Sequence, residues 1–185
     1  GLDIAYDKML QAYRRIFALC ELPYIVVEAD SGAIGGKDSH EFILPAESGE
    51  DLILTCEQCG YSANSERARF NKPVLGIESE NPLALVETPE VKTIQELTEY
   101  LGMPASKTLK AVFYVADHQT VLVTIRGDFE VNEVKLKNLL RVTDLRLATP
   151  EESEKAGLIP GYTSPISKEG IRLIADDSIN LGNNF

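Results

Sequence analysis

Apolar residues at spacings of three and four open the chain. Tyr6, Met9, Leu10, Tyr13, Ile16, Phe17 and Cys20 share one face and predict an amphipathic helix over residues 3–20. The pattern then changes period. Residues 24–29, 40–44 and 52–55 are short apolar runs bounded by turn formers and predict three strands. A turn-rich loop over 31–36 follows the first, and Glu47-Ser-Gly-Glu50 joins the second to the third. Residues 71–92 hold Pro73, Pro82 and Pro89, scattered acids and little periodicity. A linker is expected over 71–86, dividing a unit at 1–70 from one at 87–185. The second unit opens on the capping box Thr93-x-x-Glu96, with a helix over 94–101 closed by Gly102 and Pro104. Residues 108–116 and 120–126 alternate as strands around the turn 117–119. Asn132 caps a short helix running to Leu140. Thr149-Pro150-Glu151-Glu152 starts another that ends near Gly157, and 171–175 reads as a late strand. Helices and strands do not alternate regularly. The expected fold is α+β, mixed and largely antiparallel.

Composition narrows the class. The 185 residues are 44% hydrophobic and 25% charged, ordinary for a globular chain able to bury a core. The longest apolar run, near residues 111–116, is far short of the roughly 18 residues that cross a membrane. No basic-then-apolar leader precedes it. Three cysteines do not make a disulfide scaffold, and the odd count fits a reducing compartment. The net charge of −11 argues against a protein that coats nucleic acid or anionic membrane by itself. The charge is uneven. Residues 1–86 hold 14 acids and 7 bases, whereas residues 107–146 hold 7 bases and 5 acids, the one long net-positive stretch. An anionic ligand is expected there. The chain starts at Gly1 in a helical pattern and stops at Phe185 after a strand-like stretch, which reads as a piece of something longer.

Several residues carry candidate chemistry. Lys110 enters an otherwise apolar strand, on the face it shares with Val112, Tyr114 and Ala116. It is either a lysine snorkelling to water or a cation held at a pocket rim for phosphate or carboxylate. Gly161-Tyr-Thr-Ser-Pro165 is a constrained loop, either a plain rigid turn or a source of N–H groups for a substrate carbonyl. Asp176-Asp177 ends a strand, where alternation lets at most one face a given pocket. Cys56-x-x-Cys59 supplies two thiols without the second ligand pair of a structural zinc or the helix of a redox motif, so no metal site is expected. Arg126-Gly-Asp128 reads as a turn. The glycines at 32, 35 and 36 lack the following helix of a dinucleotide loop. No Ser–His–Asp set, phosphate-binding P-loop or HExxH is present.

Taken in succession, these motifs resemble bacterial-type prolyl-tRNA synthetase across essentially the whole chain. Gly32-Ala-Ile-Gly-Gly-Lys-Asp-Ser-His-Glu-Phe42, Gly49-Glu-Asp51, Cys56-x-x-Cys59 and Tyr61-Ser-Ala-Asn64-x-Glu66-x-Ala68 are similar to the class II catalytic domain just after its second class motif. Val86-Glu-Thr-Pro89, Thr108-Leu-Lys110, Arg126-Gly-Asp128 with Asn132-Glu-Val-Lys135, the 161–165 loop and Ile174-Ala-Asp176 are similar to the editing domain inserted in that enzyme. The resemblance implies a strip of antiparallel class II sheet over 1–70, and over 87–185 a barrel-like editing domain with flanking helices that continues past Phe185.

The resemblance also implies a reaction, hydrolysis of the ester of alanine wrongly attached to tRNA(Pro). Missing methylenes change binding by only about 1–3 kcal/mol, so a proline site alone does not reject alanine and a second sieve removes it. The family's essential lysine falls on Lys110, its loop glycine and proline on Gly161 and Pro165, and its strand-end aspartate on Asp176. On that reading Lys110 orients the terminal nucleotide. Tyr162, Thr163 and Ser164 shape the alanine pocket, and Asp176 holds the ammonium. His40 and Glu41 match the synthetase's substrate neighbourhood. Editing needs no cofactor, while the parent uses ATP and Mg at sites outside this chain. The implied setting is a homodimeric, cytoplasmic parent acting on the tRNA(Pro) acceptor end. The alternatives are a non-catalytic acceptor-binding fragment, a free-standing trans-editing deacylase, and a zinc or redox module on Cys56 and Cys59.

Overall fold

A computed structural model describes residues 1–32, 35–36, 38–166 and 170–185. Ala33, Ile34 and Lys37 of the glycine-rich loop lie outside the described residues. The chain forms two compact units, Gly1–Phe70 and Asn71–Phe185.

In the first unit, α1 (Leu2–Leu19) accompanies a four-stranded sheet of β1 (Ile25–Glu28), β2 (His40–Ile43), β3 (Ile53–Thr55) and β4 (Ser62–Asn64), in the order β2-β1-β4-β3. The amphipathic face of α1 meets the sheet through aromatic rings. Phe17 stacks on Phe42 at 5.0 Å and Tyr13 lies 5.7 Å from Phe42. The β1–β4 pairing is parallel, so the sheet is mixed rather than wholly antiparallel. The strands joined by residues 47–50 do not pair. They sit at opposite edges, because β3 forms its hairpin with β4 instead.

In the second unit, α2 (Ile94–Leu101) starts on the expected capping box. The Thr93 hydroxyl accepts from Glu96 N–H, and the Glu96 carboxylate accepts from Thr93 N–H. The sheet holds β5 (Leu109–Ala116), β6 (Gln119–Arg126), β7 (Leu145–Leu147) and β8 (Arg172–Ala175) in the order β7-β5-β6-β8. β5 and β6 form a hairpin with Ala116 opposite Gln119, so the loop is only Asp117-His118. Asp117 takes a positive φ of 52° there, and its carboxylate accepts from Thr143 N–H, Thr143 O–H and Asp144 N–H, each at 3.0 Å.

Strand alternation sends Tyr114, Ala116, Val121 and Val123 to one face, where Leu136 and Leu140 of α3 (Glu133–Leu140) cover them. Phe113 and Leu122 go to the other, against Leu158 just after α4 (Pro150–Lys155). Each large apolar side chain sequestered in this way contributes about 1.5–3 kcal/mol. Among the described residues both sheets are open, so the barrel-like expectation is corrected: β7 and β8 are free edges. A four-strand sheet covered on both faces has no geometric need to close.

Residues 71–86, expected as a linker, form a strap tied to the C-terminal segment. Leu75 N–H donates to Leu181 O at 2.7 Å, and Glu78 N–H to Asn183 Oδ1 at 3.0 Å. Asn81 N–H donates to Asn184 Oδ1 at 2.9 Å. The two asparagines answer with Nδ2–H bonds to Glu78 O and Ser79 O at 2.7 and 2.8 Å. Lys107 pairs with Glu78 at 2.7 Å.

Arg126 explains the Arg-Gly-Asp tripeptide. The Arg126 side chain is fully buried, donating to both oxygens of Asp128 at 2.6 and 2.9 Å and to Pro73 O at 2.9 Å. Gly127 between them is sterically required, since a Cβ there would lie 2.1 Å from Thr108 Oγ1 and 2.7 Å from Ala105 O.

Candidate active site

Lys110 stands opposite Ile125, second in β5, on the face covered by α3. Its side chain is 17% exposed and its ammonium pairs with the carboxylate of Glu130, which is 90% exposed. Asp128 also feels the Lys110 charge. The Asp128 carboxyl is held below the ordinary range, first by its Arg126 hydrogen bonds and, more weakly, by the charges of Arg126 and Lys110.

Beside this strand end lies a cavity of about 340 Å³. Lys110, Ala111 and Val112 form one wall, Lys92 and Ile94 another, and Gly161 and Thr163 a third. Its position follows from the sheet. β7 pairs only with Tyr114–Ala116, leaving the first half of β5 uncovered at this edge. The Phe113 carbonyl accepts from Ala148 N–H at the same edge, at 2.9 Å. Two residues earlier, Ala111 turns its N–H and C=O the same way, toward the cavity.

Gly161 has a φ of +82°, and a Cβ there would meet the Lys92 Cβ and carbonyl oxygen at 3.3 Å. Only glycine lets the loop approach so closely without strain. The Thr163 hydroxyl closes the loop on itself, accepting from Ile159 N–H at 2.6 Å and donating to Ile159 O at 2.9 Å. Lys110, Gly161 and Thr163 are therefore brought together. Tyr162, Ser164 and Pro165 are not among the residues lining this cavity, and Tyr162 is 50% exposed.

Asp176 is not among the lining residues either. Its two oxygens accept from Lys72 Nζ at 2.7 Å, and one caps the following 3₁₀ turn through Ser178 N–H at 2.9 Å. Burial pushes the Asp176 carboxyl up, but the Lys72 and Ser178 hydrogen bonds outweigh it and the net shift is downward. Lys72 also contacts Asp177, and the two aspartates hold its ammonium above the usual lysine value against the effect of burial. The ammonium-holding role expected of Asp176 is not supported by this arrangement.

His40 and Glu41 separate. His40 lines a polar cavity of about 440 Å³ in the first unit with Glu28, Tyr61, Arg67 and Arg69, and its Nδ1 lies 2.8 Å from Tyr6 Oη. Glu41 does not line it, because neighbouring strand residues face opposite ways. The Tyr6 hydroxyl is pushed up, first by burial and then by the charge of Asp38.

Sequence reasoning missed Glu130, Lys72 and the Ala111 backbone. A signal for Glu130 was present: β6 runs antiparallel to β5 and ends at Arg126 opposite Leu109, so acids just beyond it return to the Lys110 end. Lys72 lies 104 residues from Asp176 and carries no local signal.

Among the described residues lining the Lys110 cavity there is no cysteine, histidine or carboxylate, so no nucleophile–base pair faces it. What the wall offers is two ammonium groups, backbone donors and acceptors, and an apolar floor. That equipment suits binding a charged ligand and polarising a carbonyl toward water. Among the described residues no group of three or more His, Cys, Asp or Glu side chains is placed to hold a metal ion. Among the described residues no helix is long and apolar enough to cross a membrane.

Residues 88–184 match the family model described as "Aminoacyl-tRNA editing domain". The whole chain is 49% identical over 185 residues to a proline-tRNA ligase of Dehalococcoides mccartyi, spanning 32% of that protein. It is 46% identical over 187 residues to a proline-tRNA ligase of Caldicellulosiruptor bescii and 44% to one of Thermotoga maritima, again 32% of each. The chain thus spans about a third of the length of these relatives. A crystal structure described as a candidate trans-editing enzyme for prolyl tRNA synthetase overlaps 50% of this chain and 60% of that one, with a TM-score of 0.45 and 24% identity.

Proposed function

The chain belongs to the aminoacyl-tRNA editing domain family, carrying that domain over residues 88–184, and on that footing we propose that it hydrolyses the ester of alanine mischarged onto tRNA(Pro). The observation that carries the reading is the mostly buried Lys110 side chain at the wall of a cavity closed by the Gly161 turn. Lys110 binds a phosphate or ribose group of the terminal nucleotide and so aims the ester into the cavity. The N–H groups of Gly161 and Thr163 polarise the ester carbonyl, Tyr162 N–H being taken by Ile159 O at 3.0 Å. The Ala111 carbonyl, on the open edge of β5, accepts the substrate ammonium. Asp176 acts indirectly, by tying the strap to the end of β8.

The ester is an activated acyl group, so a positioned water attacks its carbonyl carbon. The developing oxyanion is held by the loop donors, and the ribose hydroxyl leaves with the proton the water gives up. No protein acyl intermediate is needed. The whole-chain likeness to proline-tRNA ligases supports reading the domain as part of a larger synthetase. That parent charges tRNA(Pro) with proline using ATP and Mg, and is homodimeric and cytoplasmic. The polar cavity around His40, Arg67 and Arg69 belongs to its aminoacylation half.

The test is hydrolysis of alanyl-tRNA(Pro) and prolyl-tRNA(Pro) by the wild type and by Lys110→Ala. Losing one preorganised electrostatic contact typically costs 10²–10³ in rate, so a loss of about a hundredfold on alanyl-tRNA(Pro) is expected, with the circular dichroism spectrum unchanged. Undiminished hydrolysis by the variant sinks the assignment.

A further inference from the structure

Lys110 has two acids beside it, and they are not equivalent. Asp128 is committed, since both its oxygens are held by the buried Arg126 guanidinium. Among the described residues Glu130 has no such anchor. Its side chain is 90% exposed, its ion-pair partner among the described residues is the Lys110 ammonium, and its charge also bears on the Tyr114 hydroxyl. An exposed carboxylate on a flexible stem is weakly held, because water screens the pair and ordering both side chains costs entropy. The Lys110 side chain, 17% exposed, is the better packed half. The cation is thus fixed and its counter-ion is free to leave.

From this geometry, and resting on the reading that Lys110 binds the tRNA terminus, we infer that Glu130 is a displaceable counter-ion. It holds the Lys110 ammonium at the cavity wall in the free protein and gives way to a tRNA phosphate on binding. The exchange swaps one singly charged oxyanion for another on the same ammonium, so net charge at the site is conserved. The carboxylate returns to water, where it is already largely solvated. Glu130 is therefore a positioning residue that sets affinity. It weakens binding by occupying the cation, and it keeps that cation from folding back along the apolar wall of β5.

The experiment measures binding of an uncharged RNA acceptor-stem hairpin ending in CCA to the full chain as wild type, Glu130→Gln, Lys110→Ala and the double variant. Steady-state deacylation of alanyl-tRNA(Pro) by wild type and Glu130→Gln runs alongside. Glu130→Gln is expected to bind the RNA about two- to fivefold more tightly, the scale of an exposed ion pair. The gain should shrink as salt is raised through the range where the Debye length falls below about 8 Å. In deacylation the change appears in KM rather than in kcat. In the Lys110→Ala background the same substitution should change RNA affinity by less than half as much. An equal gain there would mean that Glu130 merely adds to the general acidity of the surface, and overturns the inference. Unchanged or weaker binding by Glu130→Gln overturns it as well. Failure of the underlying reading looks different: Lys110→Ala then neither weakens RNA binding nor slows deacylation.

Discussion

The two units differ in how they spend their apolar residues. In Asn71–Phe185 the sheet is covered on both faces, and Leu122, Val121 and Leu158 are at most 1% exposed. In Gly1–Phe70 the fully buried apolar set is small, Val27, Ala29, Ala63 and Ala68, and α1 buries none of its residues completely. Leu2, Ile4, Met9, Ile16 and Leu19 on that helix are all more than half exposed. The polar residues differ in parallel. The second unit ties buried charges into networks, as Arg126–Asp128 and Lys72–Asp176 show. The first unit gathers unlike charges around an open cavity. A unit that covers both faces of its sheet pays its conformational entropy from its own core, whereas one with few buried side chains is marginal at this size.

The largest expected effect comes from separating the units. Residues 71–185 alone should unfold in a single cooperative urea transition, and residues 1–70 alone should show none. A cooperative transition of similar midpoint in the shorter piece would erase the contrast. Next is Arg126→Ala in residues 71–185. It removes a buried guanidinium and leaves Asp128 and Pro73 O, both at the surface, without their donor, and should cost about 1.5–3 kcal/mol by denaturant titration. A loss under about 1 kcal/mol would mean the network carries little of the second unit's stability.

The smallest effect is in acid. The Asp128 and Asp176 carboxyls titrate lower in the folded protein than their ordinary value of 3.8. The unfolded chain therefore binds more protons in that range. The stability these groups contribute is complete above the ordinary value and disappears as pH falls through the lower folded values. The unfolding midpoint of residues 71–185 should drop as pH is lowered below about 5, and Asp176→Asn should make that drop shallower. Equal slopes for the two proteins would remove Asp176 from the account.

Elements governed by local rules are legible in the sequence. The Thr93 and Thr149 capping boxes, the Asn132 cap and the β5–β6 alternation all act within four residues or within one strand, and all appear where expected. β4 and β7, three residues each, are too short for a period to show. The order β2-β1-β4-β3 is a long-range outcome that adjacent hydrophobic runs do not encode. The strap's bonds are not legible locally for a related reason. Prolines and acids mark a segment without its own secondary structure, yet its hydrogen bonds go to residues about 105 positions away. At the candidate site, Lys110 and Gly161 draw notice because a lysine in an apolar strand and a glycine between prolines break local expectation, but the pattern alone leaves their roles open and the family resemblance supplies them. Glu130 breaks none, being an ordinary acid in a turn, and only the hairpin register brings it to Lys110.

The strap has a mechanical consequence. Its bonds run Lys72 to Asp176, Leu75 to Leu181, Glu78 to Asn183 and Asn81 to Asn184, so the two segments lie parallel. A tension applied at residue 71 and at residue 185 pulls them past each other in opposite senses. The contacts are then loaded together in shear rather than peeled apart one by one. Forced unfolding follows the unfolding rate rather than the equilibrium. The second unit should therefore resist stretching along the chain far better than the number of bonds in its strap would suggest.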